Sequence, residues 1–192
     1  MSRRDVLEFA PETVAIINQT ELRVDRELLD AAPKLRIVAN VAIGVDNLDL
    51  PLMASCGVFA TNVPDDFVDS TADFAFALLL ALVRRLIEAD RYTRARDWKS
   101  FQPGVWDGVL LRGKTLGLVG YGAIGRAVAT RAAAFGLRVL HHRRTPTAEP
   151  GYTSLDALLQ ESDFVSLHLP LNHESRGLFN AARFNRMKRG AY

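Results

Sequence analysis

Three glycines, Gly120, Gly122 and Gly125, stand in the order G-x-G-x-x-G inside GLVGYGAIGRA. They follow the apolar run TLGLVG and open IGRAVATRAAAFG, a helical pattern closed by Gly136. Glycines at this spacing between a strand and a helix suit one chemical task, holding the pyrophosphate of a dinucleotide. Gly120 permits the tight turn, Gly122 lets the pyrophosphate approach the backbone, and Gly125 lets helix and strand pack closely. The helix N-terminus then meets the anion with unpaired N–H groups and the positive end of its dipole. The same spacing also occurs in turns that bind nothing. The strand-turn-helix-strand order over roughly thirty residues favours the dinucleotide.

The next strand, VLHHRR from Val139 to Arg144, ends in positive charge. An NAD-selective site has an Asp or Glu at this position, accepting hydrogen bonds from the adenosine ribose. No acid stands there. Arg143 and Arg144 instead offer forked, permanently charged donors suited to a 2'-phosphate. The residues predict a preference for NADP(H), with NAD(H) as the second choice; the bland alternative is a pair of solvated arginines at a strand end. His141 and His142 are less informative: one is expected within the strand's surroundings and the other beside the adenine, and neither is a catalytic candidate.

These groups need a scaffold. Short β-type runs alternate with helical patterns along the chain, which predicts an α/β fold with parallel sheets. Val14 to Asn18, Leu35 to Ala39 and Val58 to Thr61 read as strands of one sheet, separated by RELLDAAPK and LPLMASCG as helix or helix-and-turn. The stretch DSTADFAFALLLALVRRLIEADRYTRARDW has a capping cluster at its start and no proline inside, so one long helix over about residues 70–98 is expected. KSFQPGVWDGVLLRGK reads as a connection. A second series then runs through the strands TLGLVG, LRVLHH and DFVSLHL, with the helices IGRAVATRAAAFG, SLDALLQES and NAARFNRMK. The expected division is residues 1–66 and residues 67–192.

Composition narrows the function classes. A chain of 192 residues, 48% hydrophobic and 24% charged, has the balance of a folded soluble protein with a real core. A net charge of +2 is too small for a nucleic-acid footprint, and no basic stripe alternates with aromatics. Cys56 is the only cysteine, so no internal disulfide forms, and no zinc-ligand spacing exists. MSRRDVLEFAPE lacks the apolar centre of a signal peptide. The longest apolar run, Phe74 to Val83, lies between Asp73 and Arg84 and is far shorter than a membrane span. The expectation is a cytoplasmic protein with no nucleic-acid partner, no membrane and no metal.

Four stretches in order, AAPKLRIVANVAIGVDNLDL, GVFATNVPDDFVDSTADFAFALLLALVRR, LRGKTLGLVGYGAIGRAVATRAAAFGLRVLHHRR and DFVSLHLPLNHESRGLFNAARFNRMKRGAY, cover almost the whole chain. Together they resemble the D-isomer-specific 2-hydroxyacid dehydrogenases, and within them most the NADP(H)-using glyoxylate/hydroxypyruvate reductases. The resemblance implies a flavodoxin-like substrate domain and a Rossmann cofactor domain with the active site between them, and a homodimer built around the long interdomain helix and the segment after it. It implies hydride transfer between the nicotinamide and a small 2-oxoacid or 2-hydroxyacid, glyoxylate or hydroxypyruvate in type.

Carried over by residue, the resemblance places backbone N–H groups of Ile43 and Gly44, in NVAIGVD, at the substrate carboxylate. Read without it, this stretch is a strand-end turn with Asp46 as a cap. Thr71 in STAD matches a threonine near the cofactor phosphates, and as a plain feature belongs to a helix cap. Ala123, Ile124 and the three glycines form the cofactor turn, and Leu169 and Pro170 in LHLPL line the cofactor pocket. Ala123 replaces the basic residue common after the second glycine, which removes one phosphate contact and leaves the backbone cradle.

The family's catalytic arginine, glutamate and histidine have no counterpart in the chain. Measured against the resemblance, both domains are expected to be incomplete, with the sequence beginning after the first strands of the substrate domain and stopping at Tyr192 near the start of a strand. His168, His173 and Arg176 are chemically able to donate a proton or bind an anion, but a strand-end histidine and a solvated loop are the stronger reading, so no catalytic residue is assigned. Two functions follow: part of an NADP(H)-dependent dehydrogenase that is inactive as these 192 residues, or a non-catalytic, dimer-forming module that senses dinucleotide.

Overall fold

A computed structural model describes residues 2–192, and in it the chain forms two compact units. The first holds the residues up to Phe67 together with Pro170–Arg176; the second holds Val68–Leu169 and Gly177–Tyr192. The boundary between Phe67 and Val68 lies one residue beyond the division expected at 66, and the short loop Pro170–Arg176 groups with the first unit.

In the first unit, α1 (Arg3–Phe9) and a 3-10 turn precede β1 (Ala15–Asn18), α2 (Arg26–Ala31), β2 (Ile37–Asn40), α3 (Leu50–Ser55) and β3 (Phe59–Thr61). The strands are parallel in the order β1-β2-β3, with Ala15 opposite Ile37 and Ile37 opposite Phe59. Side-chain caps start the helices: the Asp25 carboxylate accepts from the Leu28 N–H and that of Asp49 from the Leu52 N–H. Asp49, not Asp46, is thus the cap of α3. Val24, Leu28, Val38 and Met53 fill the core. Hydropathy does not announce α1, but Ser2 and Asp5 do: the Ser2 hydroxyl accepts from the Asp5 N–H while the Asp5 carboxylate accepts from the Ser2 N–H.

The second unit runs α4 (Val68–Val83), α5 (Leu86–Arg94), β4 (Thr115–Val119), α6 (Ala123–Ala134), β5 (Arg138–His142), α7 (Leu155–Glu161), β6 (Phe164–Leu167) and α8 (Ala181–Phe184). Its parallel sheet has the order β5-β4-β6. Every residue of β4 is buried, as expected for a central strand covered on both faces. Leu116 and Leu118 pack with Phe76 of α4 and with Val128 and Ala132 of α6, whereas Val119 joins Leu158 and Leu159 of α7. Full burial of a side chain such as Leu158 contributes about 1.5–3 kcal/mol. Tyr192 continues the sheet beside β6: its N–H donates to the Asp163 carbonyl and its carbonyl accepts from the Val165 N–H.

The helix expected over residues 70–98 is two helices. Arg85 between them adopts φ 53°, in the left-handed region. The cause lies far along the chain: the Val83 carbonyl, which an unbroken helix would offer to the residue four positions on, accepts instead from the Val109 N–H at 2.9 Å. Gly108 allows that approach, since a Cβ there would stand 2.3 Å from the Val83 oxygen. Arg85 then bonds the Val105 carbonyl at 2.8 Å and lies 5.1 Å from the centre of the Trp106 ring, fastening the connection to the helix break.

Candidate functional site

The turn between β4 and α6 is shaped by two of its glycines and opened by the third. Gly120 has φ 101°, and a Cβ there would lie 2.2 Å from the His168 carbonyl oxygen, so only glycine fits. A Cβ on Gly125 would lie 2.4 Å from the Gly120 carbonyl oxygen. Gly122 is different: it caps α6 without a side-chain hydrogen bond, and a Cβ on it would meet nothing within 4 Å. Packing accounts for Gly120 and Gly125. Open space before an uncapped helix N-terminus is the geometry of an anion cradle. Ala123 is exposed at the first helical position, and Ile124 packs on the core.

Around the tip of β5 the side chains form a layered cluster. The Tyr121 ring stacks on His141 with centroids 3.7 Å apart, and the Arg126 guanidinium lies 4.6 Å from the Tyr121 ring centre. His141 is 0% exposed, with Nε2 3.2 Å from the Pro150 carbonyl oxygen. That oxygen can only accept, so Nε2 carries the hydrogen and Nδ1, buried without a partner, does not. Burial pushes the His141 pKa down, outweighing the pull of the Pro150 carbonyl and Glu149, and the ring is neutral. His142 spends its Nδ1 on the Thr153 carbonyl at 3.0 Å. Both imidazoles are structural.

An acid does reach this place. Glu149, in the loop after β5, bonds both terminal nitrogens of Arg126 and stands 3.8 Å from Arg143. Its partner Arg126 holds the Glu149 carboxyl below the usual carboxylate range. Arg143 is half-buried and Arg144 exposed.

The family model described as D-isomer specific 2-hydroxyacid dehydrogenase, NAD binding domain, matches residues 76–192. The chain belongs to the D-isomer specific 2-hydroxyacid dehydrogenase family. A curated relative, the glyoxylate reductase of Thermococcus kodakarensis, is 45% identical over 98% of this chain and 60% of its own length. The TT0316 protein of Thermus thermophilus superposes with a TM-score of 0.94 at 43% identity, covering 100% of this chain and 62% of that one. D-Lactate dehydrogenase of Aquifex aeolicus, solved with NAD and lactic acid, gives a TM-score of 0.85 at 31% identity over 95% of this chain and 56% of that one. The chain thus spans about 60% of the length of the curated glyoxylate reductases it matches. The parallel α/β fold read from the sequence agrees with these solved structures.

The remaining predicted residues fall on both units of the chain. Thr71 lies within the first turn of α4, exposed, along a groove that Ser166 and His168 also line. His168 accepts or donates at Ser166 Oγ, 2.9 Å away, and burial pushes its pKa down. Leu169 ends the first segment of the second unit, beside Gly120, while Pro170, His173 and Arg176 lie in the first unit. Ile43 is half-buried and Gly44 exposed in the loop that follows β2. Tyr121, Arg126 and Glu149 were not singled out by spacing. Tyr121 lies inside the glycine motif and Arg126 directly after it, whereas nothing near Glu149 marks it. Among the described residues no group of three acidic, histidine or cysteine side chains forms a metal site, and no helix is long and apolar enough to cross a membrane.

Proposed function

We propose that this chain supplies the dinucleotide site and the 2-oxoacid carboxylate site of an NADP(H)-preferring 2-hydroxyacid dehydrogenase of the glyoxylate reductase type. The observation that carries the reading is Gly122: its open face before an uncapped helix, beside a strand ending in Arg143 and Arg144, fits a dinucleotide carrying an extra phosphate. The backbone N–H groups at Gly122, Ala123 and Ile124 would hold the pyrophosphate, with Thr71 and Leu169 beside it. The nicotinamide, when bound, supplies the hydride chemistry. Arg143 and Arg144 would bind the 2'-phosphate in competition with Glu149, and Ile43 and Gly44 the substrate carboxylate. The relatives' activity on glyoxylate and the NAD bound to the Aquifex enzyme support this assignment of substrate class and cofactor type.

No residue of the chain is given a catalytic role. His141, His142 and His168 are each engaged with a protein group, and a general acid must reach the substrate carbonyl. A homodimer is the proposed assembly, supported by apolar side chains left exposed after α5, with Trp98 at 65% and Phe101 at 82%. Fluorescence titration of the 192-residue chain with NADPH and NADH tests the cofactor reading. The expected result is saturable binding of both with NADPH tighter; absence of saturable binding of either defeats the dinucleotide site, and equal affinities defeat the role of the arginines. In the same samples glyoxylate is expected to leave NADPH unoxidised.

A further inference from the structure

The loop after β2 has three consecutive carbonyls held by donors from elsewhere in the first unit. The Ala42 carbonyl accepts from the Val63 N–H at 3.1 Å, the Ile43 carbonyl from the Asn62 side-chain amide at 3.0 Å, and the Gly44 carbonyl from the Asn40 side-chain amide at 3.1 Å. In a trans peptide the C=O and the N–H of the following residue point in opposite directions. Fastening each carbonyl therefore turns the N–H of the following residue, Ile43, Gly44 or Val45, away from that carbonyl's own donor. Among the described residues none of those three N–H groups donates to a protein acceptor. Neighbouring peptide N–H groups left free in a loop are donors that an anion can take up.

Asn40 does not choose its direction freely. It is 2% exposed, and its oxygen accepts from Asn18 at 3.2 Å and Asn47 at 3.3 Å. Its nitrogen also donates to the Asn47 oxygen at 2.8 Å. Asn18 and Asn47, both buried, are fixed in turn by the Leu22 carbonyl. A buried amide network with its bonds made is rigid and has a single orientation. Besides the pairing with Asn47, Asn40 donates to Gly44, so the network transmits the position of the sheet ends to that peptide.

We propose that Asn40 and Asn62 are positioning residues that aim the Ile43 and Gly44 N–H groups at the carboxylate of a small 2-oxoacid or 2-hydroxyacid. This rests on the carboxylate site proposed above. Neither side chain touches the acid; each acts through the peptide it holds. Asn40→Asp keeps the volume and the accepting oxygens but removes the donation to Gly44, and Asn62→Ala removes the other donation from an exposed position where folding is not at stake.

The experiment is a titration of the 192-residue chain with glycolate, followed at its backbone amides by two-dimensional NMR, with uncharged glycolamide as the control. Glycolate is expected to shift the Ile43 and Gly44 amide resonances of the wild type, and glycolamide to leave them in place. Each variant is expected to weaken the glycolate response about tenfold, the effect of about one hydrogen bond, while the other amides of the first unit keep their dispersion. A merely structural role would instead move that whole set of amides. If Asn40→Asp does not fold, Asn62→Ala decides. Wild-type glycolate affinity in a folded variant overturns the positioning role alone; no carboxylate-dependent shift at Ile43 and Gly44 in the wild type overturns the carboxylate site and the positioning role together.

Discussion

Arg126 grips Glu149 through both terminal guanidinium nitrogens, one to each carboxylate oxygen. The pair restores an acid to a strand tip whose own sequence is wholly basic, and it leaves Glu149 3.8 Å from Arg143. Any phosphate drawn to Arg143 meets that carboxylate as a competitor. In the proposed dinucleotide site, cofactor choice would then be a balance between guanidinium and carboxylate.

Glu149→Gln is expected to tighten NADPH binding by roughly two- to fivefold and to change NADH binding less than about twofold, because exposed charge pairs carry about 1 kcal/mol or less. Arg143→Ala is expected to weaken NADPH about tenfold and to narrow the gap to NADH. Parallel titrations of the three proteins read both effects. Unchanged NADPH affinity in Glu149→Gln removes Glu149 from cofactor selection.

Gly120 and Gly122 should separate stability from binding. Gly122→Asp places a favoured N-cap at the start of α6, where a Cβ has room, so thermal stability is expected to hold or rise slightly. The same carboxylate fills and repels the anion cradle, and NADPH binding is expected to fall by more than about a hundredfold, several charge-assisted hydrogen bonds being lost. Gly120→Ala forces a Cβ to 2.2 Å from the His168 oxygen at φ 101°, and is expected to cost about 1–3 kcal/mol of stability. Tight NADPH binding by Gly122→Asp would show that the dinucleotide lies elsewhere.

Stability should fall on mild acidification. His141 and His168 have folded-state pKa values pushed down, burial being the first cause at both. Their unfolded value is about 6.5, so above it both states are neutral and the full contribution is present. As pH falls from about 6.5 toward the folded values, the unfolded chain binds more protons and stability drops. Denaturant midpoints between about pH 7.5 and 5.5 measure this. His141→Gln should lessen the slope if the mutant keeps the fold, and a flat wild-type profile contradicts the neutral buried rings.

The break after α4 depends on one glycine. Gly108→Ala brings a methyl to 2.3 Å from the Val83 carbonyl oxygen, so the connection must move and the Val109 bond is strained or lost. The expected cost is about 1–3 kcal/mol, or a few degrees in the thermal midpoint. A midpoint within half a degree of wild type would show that the connection is free to shift, measured by circular dichroism.

The elements most legible in the chain were those whose cause is local. TLGLVG followed by glycines and then IGRAVATRAAAFG contains its own strand, turn and helix instructions, and β4, the turn and α6 appear where those residues stand. The uninterrupted helix was the plain reading of a stretch with no glycine or proline between Val68 and Asp97, and the helix stops because a peptide from residue 109 takes its carbonyl. Glu149 had no motif to mark it; loop closure carries it back to Arg126 and Arg143. The asparagine network was equally silent, since Asn18, Asn40 and Asn47 become partners only when β1 and β2 lie in register.

The sequence by itself determined the alternation of strands and helices, the glycine turn and the family, because apolar periodicity and turn chemistry act between near neighbours. Tertiary structure alone decided which charges share a strand tip, where α4 ends and which way the peptides after β2 face. Those outcomes depend on groups separated by many residues, and only the packed chain brings them within hydrogen-bonding distance.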